Sequence, residues 1–312
     1  MNMITLNFTT VTPLLICNGN ELGFELDYIV KNDVFCKLNF LKIAGKLKDK
    51  FNFNRDYTLE NILSLVHENI SLFNNNDYEY KMPITKGFLD HINNERAIGR
   101  KFVNEFVNSN GKFYVPGSSI KGALLTALNV NSLGIQAGTN ADIKDKFVIR
   151  DSEFIDSSNF IIHRTVNRPP ALSVQCLKPD ITFSLKIMKT GKLEISNLKQ
   201  KLREYSQTQI ELAKKQDLNN FKSRTDVPKG ADLFELAIGY ISNITLSKDE
   251  YLINIGFGGG SWFKIEKNGV PMFRSKSPRR RGQWEPAHTT FSVKKNDEYL
   301  QLGWCKLKII EE

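Results

Sequence analysis

Val115-Pro116-Gly117-Ser118-Ser119-Ile120-Lys121-Gly122 places two hydroxyls, an ammonium and two glycines where an extended segment should turn into a helix. Those groups suit a phosphate on a polymer backbone. First-turn N–H groups and the helix dipole favour an anion, Lys121 adds a full charge, and Gly122 lets another backbone come close. Phe113, Tyr114 and Val115 favour an extended chain, and Pro116 and Gly117 turn it. Ser118 or Ser119 is expected to cap the helix. Ile120, Ala123, Leu124, Ala127 and Leu128 recur at the spacing of one helical face, which is expected to pack inward. The same residues also read as a plain strand-to-helix corner with a good cap. Gly-Lys-Ser/Thr is missing at the helix start, so a nucleotide with Mg²⁺ is not expected there, and no Gly-x-Ser-x-Gly marks a serine nucleophile.

A second loop offers related chemistry. Gly256-Phe257-Gly258-Gly259-Gly260 follows the apolar strand expected over residues 251–255, with four glycines in five positions. Such a loop can aim backbone N–H groups at an anion, and Lys264 adds charge just beyond it. A glycine-rich hairpin end is the plainer reading. Further on, Arg274 to Trp284 carries five positive charges and no negative one. Arg279, Arg280 and Arg281 would each release counterions on meeting a phosphate, and Trp284 could stack on a base. Arg164 and Arg168 form a smaller basic group beside His163. A solvated charged loop is the ordinary alternative for each basic group.

Catalysis finds less support. A metal-free ribonuclease needs a general acid or base, most often histidine. The four histidines are His67, His91, His163 and His288, and only His163 and His288 lie in basic surroundings. Asp142, Asp145, Asp151 and Asp156 read as ordinary loop acids. No metal site and no cofactor are expected, and the chain is expected not to be an enzyme.

The elements that must position these loops follow from periodicity and turn residues. Long strands are expected from Met3 and from Ile181, a hairpin at 28–38 turning through Lys31-Asn32-Asp33, and helices over 40–50, 59–73, 120–128, 196–215 and 231–241. Residues 82–99 give no clear pattern. Strand–helix–strand order in each half points to an α+β protein with two domains of split-βαβ type, spanning 1–176 and 177–312. The 312 residues can bury two cores. The net charge of +9 and the pI near 9.2 suit a polyanionic partner. Four scattered cysteines and the lack of a signal-like start or a long apolar run suggest a reduced, cytoplasmic chain with no membrane partner.

Three segments resemble the RAMP superfamily of CRISPR-associated RNA-binding proteins. Val115 to Leu124 looks like its Pro-Gly-Ser-Ser-x-Lys-Gly helix start, Ile255 to Gly260 like its C-terminal glycine-rich loop, and Phe147 to Glu153 like its strand ending in Asp-Ser. Thr12 to Glu21, Asp27-Tyr28 and Leu302 to Leu307 are similar to the ends of the subunit-five family of type III-A Csm effector complexes. Leu15-Ile16-Cys17-Asn18-Gly19 departs from that family, which carries a histidine and an additional glycine there. The resemblance implies two tandem RRM-like (ferredoxin-like) RAMP domains with inserted helices and loops. It implies a non-catalytic subunit that binds crRNA, caps the backbone filament at the crRNA 3′ end, and supports crRNA maturation and antiviral defence. Its partners would be crRNA, target RNA, and the backbone filament and small subunits. RNA contact would fall to Gly117, Ser118, Ser119, Lys121, Gly122, Arg164, Arg168, Gly256, Gly258, Gly259, Gly260, Lys264, Arg279, Arg280, Arg281 and Trp284. The alternatives are a Cmr-type RAMP subunit, or a metal-independent crRNA-processing endoribonuclease using His163 or His288.

Overall fold

The computed structural model describes residues 3–50, 58–128, 147–166, 171–189, 195–215, 239–258, 266–267, 270–274, 283–286, 292–295 and 298–311. The first strand, β1 (Met3–Thr10), alternates as its sequence requires: Ile4, Leu6, Phe8 and Thr10 point inward. The long strand expected from Met3 ends at Thr10, because the backbone of Val11 and Thr12 turns to pair with the Trp304 carbonyl. Strand β2 (Cys17–Gly23) follows, then the expected hairpin of β3 (Tyr28–Lys31) and β4 (Val34–Leu38). Asn32 and Asp33 both have positive φ, the conformation a two-residue hairpin turn demands.

Helices α1 (Phe40–Leu47) and α2 (Leu59–Glu68) come next, capped by Asn39 and Thr58. Residues 78–94 resolve into strand β5 (Tyr78–Pro83) and helix α3 (Lys86–Asn94). With β3, β4 and the two helices, β5 encloses a small core of its own around Ile29, Leu38, Leu47 and Phe73. Strand β6 (Phe102–Phe106) leads through a short hairpin to α4 (Gly117–Leu128). Then come β7 (Phe147–Ile149), β8 (Phe160–Arg164), β9 (Ser173–Leu177), β10 (Thr182–Lys189), α5 (Ile195–Lys215), β11 (Tyr251–Asn254) and β12 (Trp304–Glu311). Of the helix expected over 231–241, only residues from 239 on are described.

Two sheets carry the main core. One runs β8-β9-β6-β2, with β9 and β6 parallel and a bulge in β2 between Cys17 and Glu21. The other runs β11-β12-β1-β10-β7, with every neighbour antiparallel. The α+β class holds. The boundary expected at 176/177 does not separate the sheets, because β1 and β7 from before it pair with β10 and β12 from after it. Register fixes this exchange: Phe8 lies opposite both Phe183 and Leu307, and its ring stacks on Phe183 at 5.2 Å between centroids. Helices α4 and α5 pack against each other and against the five-stranded sheet. No helix among the described residues is long and apolar enough to cross a membrane.

Candidate nucleic-acid interface

Helix α4 begins at Gly117, two residues earlier than a Ser118 cap would allow. The reason is a carboxylate from a later segment. The Gly117 N–H donates to Asp151 Oδ1 at 2.8 Å, and the Ser119 and Ile120 N–H groups donate to the Pro116 carbonyl. Ser118 and Ser119 therefore lie inside the first turn instead of capping it. Ser152 completes the junction: its hydroxyl accepts from the Val115 N–H at 2.8 Å, and its own N–H donates to the Val115 carbonyl. Gly117 is buried here, and a Cβ on it would overlap the Ile149 and Arg150 carbonyl oxygens. The Asp-Ser pair after β7 is thus the cap of α4, and its charge occupies the dipole's positive end. The expected phosphate at that helix start would meet an anion already in place.

The inward face of α4 is Ile120, Leu124 and Ala127, all fully buried. A second stripe at helical spacing, Ser119, Gly122, Ala123 and Thr126, lines a cleft of about 450 Å³. Its other walls are Ile16 and Cys17, and Asn254, Gly256 and Phe257. Two of the motif loops and the segment entering β2 therefore converge on one space, although they are far apart in the chain.

Each wall is held from behind. Gly256 has φ +80°, and a Cβ on it would overlap the Leu15 carbonyl oxygen, so only glycine lets these two segments meet. The Phe257 N–H then donates to that same Leu15 carbonyl at 2.8 Å. Gly258 also has positive φ, and between the two glycines Phe257 is left 44% exposed. On the opposite side, Asn18 and Asn20 donate to Glu105 Oε2 at 2.6 and 3.2 Å, and Tyr80 donates to its Oε1 at 3.3 Å. Glu105 is buried, and these neutral donors tie the Asn18-Gly19-Asn20 bulge to β6.

The described lining carries no formal charge. Burial pushes the Cys17 thiol up to about 11, which keeps it protonated at neutral pH. Ser119 and Thr126 offer hydroxyls, and Thr126 donates its own to the Gly122 carbonyl at 3.0 Å. Asn254 donates through Nδ2 to the Leu302 carbonyl, while its buried Oδ1 has no partner among the described residues.

The other expected contacts are placed differently. Ser118 is exposed beside the cleft and Lys121 is half-buried; neither lines it. Among the described residues nothing approaches the position where a Gly122 Cβ would stand, so that glycine opens space and none of them brings a second backbone close. Arg164 is spent on the sheet, donating to Ser173 Oγ at 2.9 Å, and burial pulls its guanidinium below its ordinary value. Arg168, Gly259, Gly260, Lys264, Arg279, Arg280, Arg281 and His288 lie outside the described residues, as does the side chain of Trp284. His163 is 3% exposed within β8, so its ring does not reach a strand lying on the surface. His91 meets the Arg100 carbonyl, and burial, followed by Arg164, lowers its pKa. His67 meets Glu25. Among the described residues no three His, Cys, Asp or Glu side chains gather to hold a metal.

Sequence reasoning missed Cys17, Thr126, Asn254 and Phe257. The spacing of Ser119, Gly122, Ala123 and Thr126, all small, was the available signal for a face left uncovered by core.

Similarity to known proteins fits this arrangement. The chain is 30% identical over 131 residues to the CRISPR system Cms protein Csm5 of Methanocaldococcus jannaschii, a match covering 39% of this chain and 29% of that protein. Its fold is similar to a chain of the cryo-EM Csm–crRNA–target RNA ternary complex of a type III-A CRISPR-Cas system, with TM-score 0.61 and 14% identity over the whole of both chains. It is also similar to the crystal structure of T. onnurineus Csm5, with TM-score 0.52 and 15% identity over 81% of this chain and 90% of that one. The pattern of the RAMP superfamily is matched over residues 7–263, which takes in the end of β1, the α4 motif and the Gly256 loop, and the chain belongs to that superfamily.

Proposed function

We propose that this chain is a non-catalytic, crRNA-binding subunit of a type III-A CRISPR (Csm) effector complex. In this reading it caps the backbone filament at the crRNA 3′ end and supports crRNA maturation and antiviral defence. Its units would be two RRM-like bodies built on the four- and five-stranded sheets, the five-stranded one taking β1 and β7 from the first half of the chain. The observation that carries the reading is the convergence of α4, the Gly256 loop and the Cys17 segment on one cleft. The net charge of +9 supports a polyanionic partner. Burial of His163 and the carbonyl contact of His91 support a binding role over acid–base work. The relatives named above support the assignment to a Csm complex.

The test is incubation of the purified chain with CRISPR-repeat RNA in EDTA, followed by gel electrophoresis and fluorescence anisotropy. Binding without cleavage is expected. Cleavage abolished by His288→Ala or His163→Ala would replace this reading with that of a processing endoribonuclease.

A further inference from the structure

We propose that the cleft between α4 and the Gly256 loop takes the base of an unpaired RNA nucleotide, stacked on Phe257, and not a phosphate. The inference rests on the RNA-binding reading and makes it specific. Three observations carry it. First, a phosphodiester needs cations or several converging N–H groups, and the described lining offers no charge. Three of the N–H groups at the start of α4, those of Gly117, Ser119 and Ile120, are already directed to Asp151 and to the Pro116 carbonyl. Second, Phe257 stands 44% exposed, held by two positive-φ glycines and a hydrogen bond to Leu15. An exposed ring carried on a backbone held in this way, at the wall of a cleft, suits the stacking of a single-stranded base. Third, the remaining lining mixes apolar surface (Ile16, Ala123) with hydroxyl and amide groups (Ser119, Thr126, Asn254). That mixture suits a base, which has π-faces and a hydrogen-bonding edge. At about 450 Å³ the space falls within the roughly 300–1,000 Å³ typical of small-ligand clefts.

A strand fits better than a free mononucleotide. A free nucleotide would carry its phosphate charge into the same neutral cleft. A strand can leave its phosphates outside the cleft, and the chain's net charge of +9 favours them.

The test uses the full chain and a fluorescein-labelled single-stranded RNA in which one abasic nucleotide is moved along the strand. In the wild type, one abasic position is expected to weaken binding roughly tenfold, the scale of one base–aromatic stack. Phe257→Ala should weaken binding to the intact strand by a similar factor and erase the abasic effect, and Phe257→Trp should restore both. Uridine and adenosine monophosphates should compete only weakly. RNA binding that is unchanged by Phe257→Ala, with the abasic profile intact, would overturn this inference alone. No RNA binding by the wild type would overturn the RNA-binding reading with it. Equal binding of a mononucleotide and a strand would overturn the assignment to a strand.

Discussion

Gly256, Gly117 and Gly122 look alike in the sequence, but space and backbone angle make them three different residues. Gly256 combines positive φ with a Leu15 carbonyl where its Cβ would be. Gly117 lacks the unusual angle but is pressed against the carbonyls of Ile149 and Arg150. Gly122 sits exposed in the middle of α4 with no described residue near its Cβ position. Gly256→Ala should therefore cost at least about 2 kcal/mol of stability, from left-handed strain plus the displacement of Leu15. Gly122→Ala should raise stability by about 0.5–1 kcal/mol, the ordinary helix propensity gain, while narrowing the cleft. Urea unfolding of the two variants reads both signs. Equal effects would mean that the Leu15–Gly256 approach does not exist in solution. The glycine runs were legible in the sequence. Their division of labour was not, because it depends on Leu15 and Ile149, which are distant in the chain from the glycines they touch.

At the scale of elements, the inserted unit of β3, β4, β5, α1 and α2 depends on one buried carboxylate. Asp77 accepts from the Asn74 N–H at 2.7 Å and from Lys46 Nζ of α1 at 2.5 Å. Its own carbonyl accepts from the N–H of Asn39, the cap of α1. Burial pushes its carboxyl up, but the Asn74 amide and Lys46 more than reverse this and hold it below its ordinary value of 3.8. A carboxyl depressed in the folded state adds stability above its unfolded pKa and loses it as pH falls through the folded one. Asp77→Asn should thus destabilise by about 2 kcal/mol at neutral pH, and the gap from wild type should narrow as pH falls below the ordinary carboxyl value of 3.8 and on through the lower folded one. A gap that stays constant across that range would remove the charge from the account. Strand β5 shows what pattern reading can and cannot reach. Tyr78, Tyr80 and Met82 alternate with exposed Glu79, Lys81 and Pro83, a legible period of two. The neighbouring α3 has nine residues and only Phe88 and Ile92 buried, too little signal to declare a helix. The cap of α4 was illegible for another reason: Asp151 arrives from beyond β7, and local sequence nominated Ser118 and Ser119 instead.

Across the whole molecule, neutral and charged elements should divide the work of holding RNA. The five-stranded sheet brings the first and last strands of the chain side by side, so the Cys17 segment just after β1 lies against the Gly256 loop just after β11. That closure explains how loops with weak individual signals form one cleft, and why a division of the chain at 176/177 does not follow the sheets. The cleft itself carries no described charge, while the sequence from Arg274 to Arg281 carries five positive ones. Counterion release then assigns the salt dependence of binding to the basic run and not to the cleft. Changing Arg279, Arg280 and Arg281 together to alanine should flatten the plot of log affinity against log salt by up to about 2, at roughly 0.7 per phosphate contact on a single strand. Phe257→Ala should lower affinity at every salt concentration and leave the slope unchanged, because stacking releases no counterions. Anisotropy titrations from about 50 to 300 mM salt separate the two lines. A slope that falls with Phe257→Ala would put a phosphate in the cleft after all. A slope indifferent to the three arginines would place the phosphate contacts elsewhere on this basic chain.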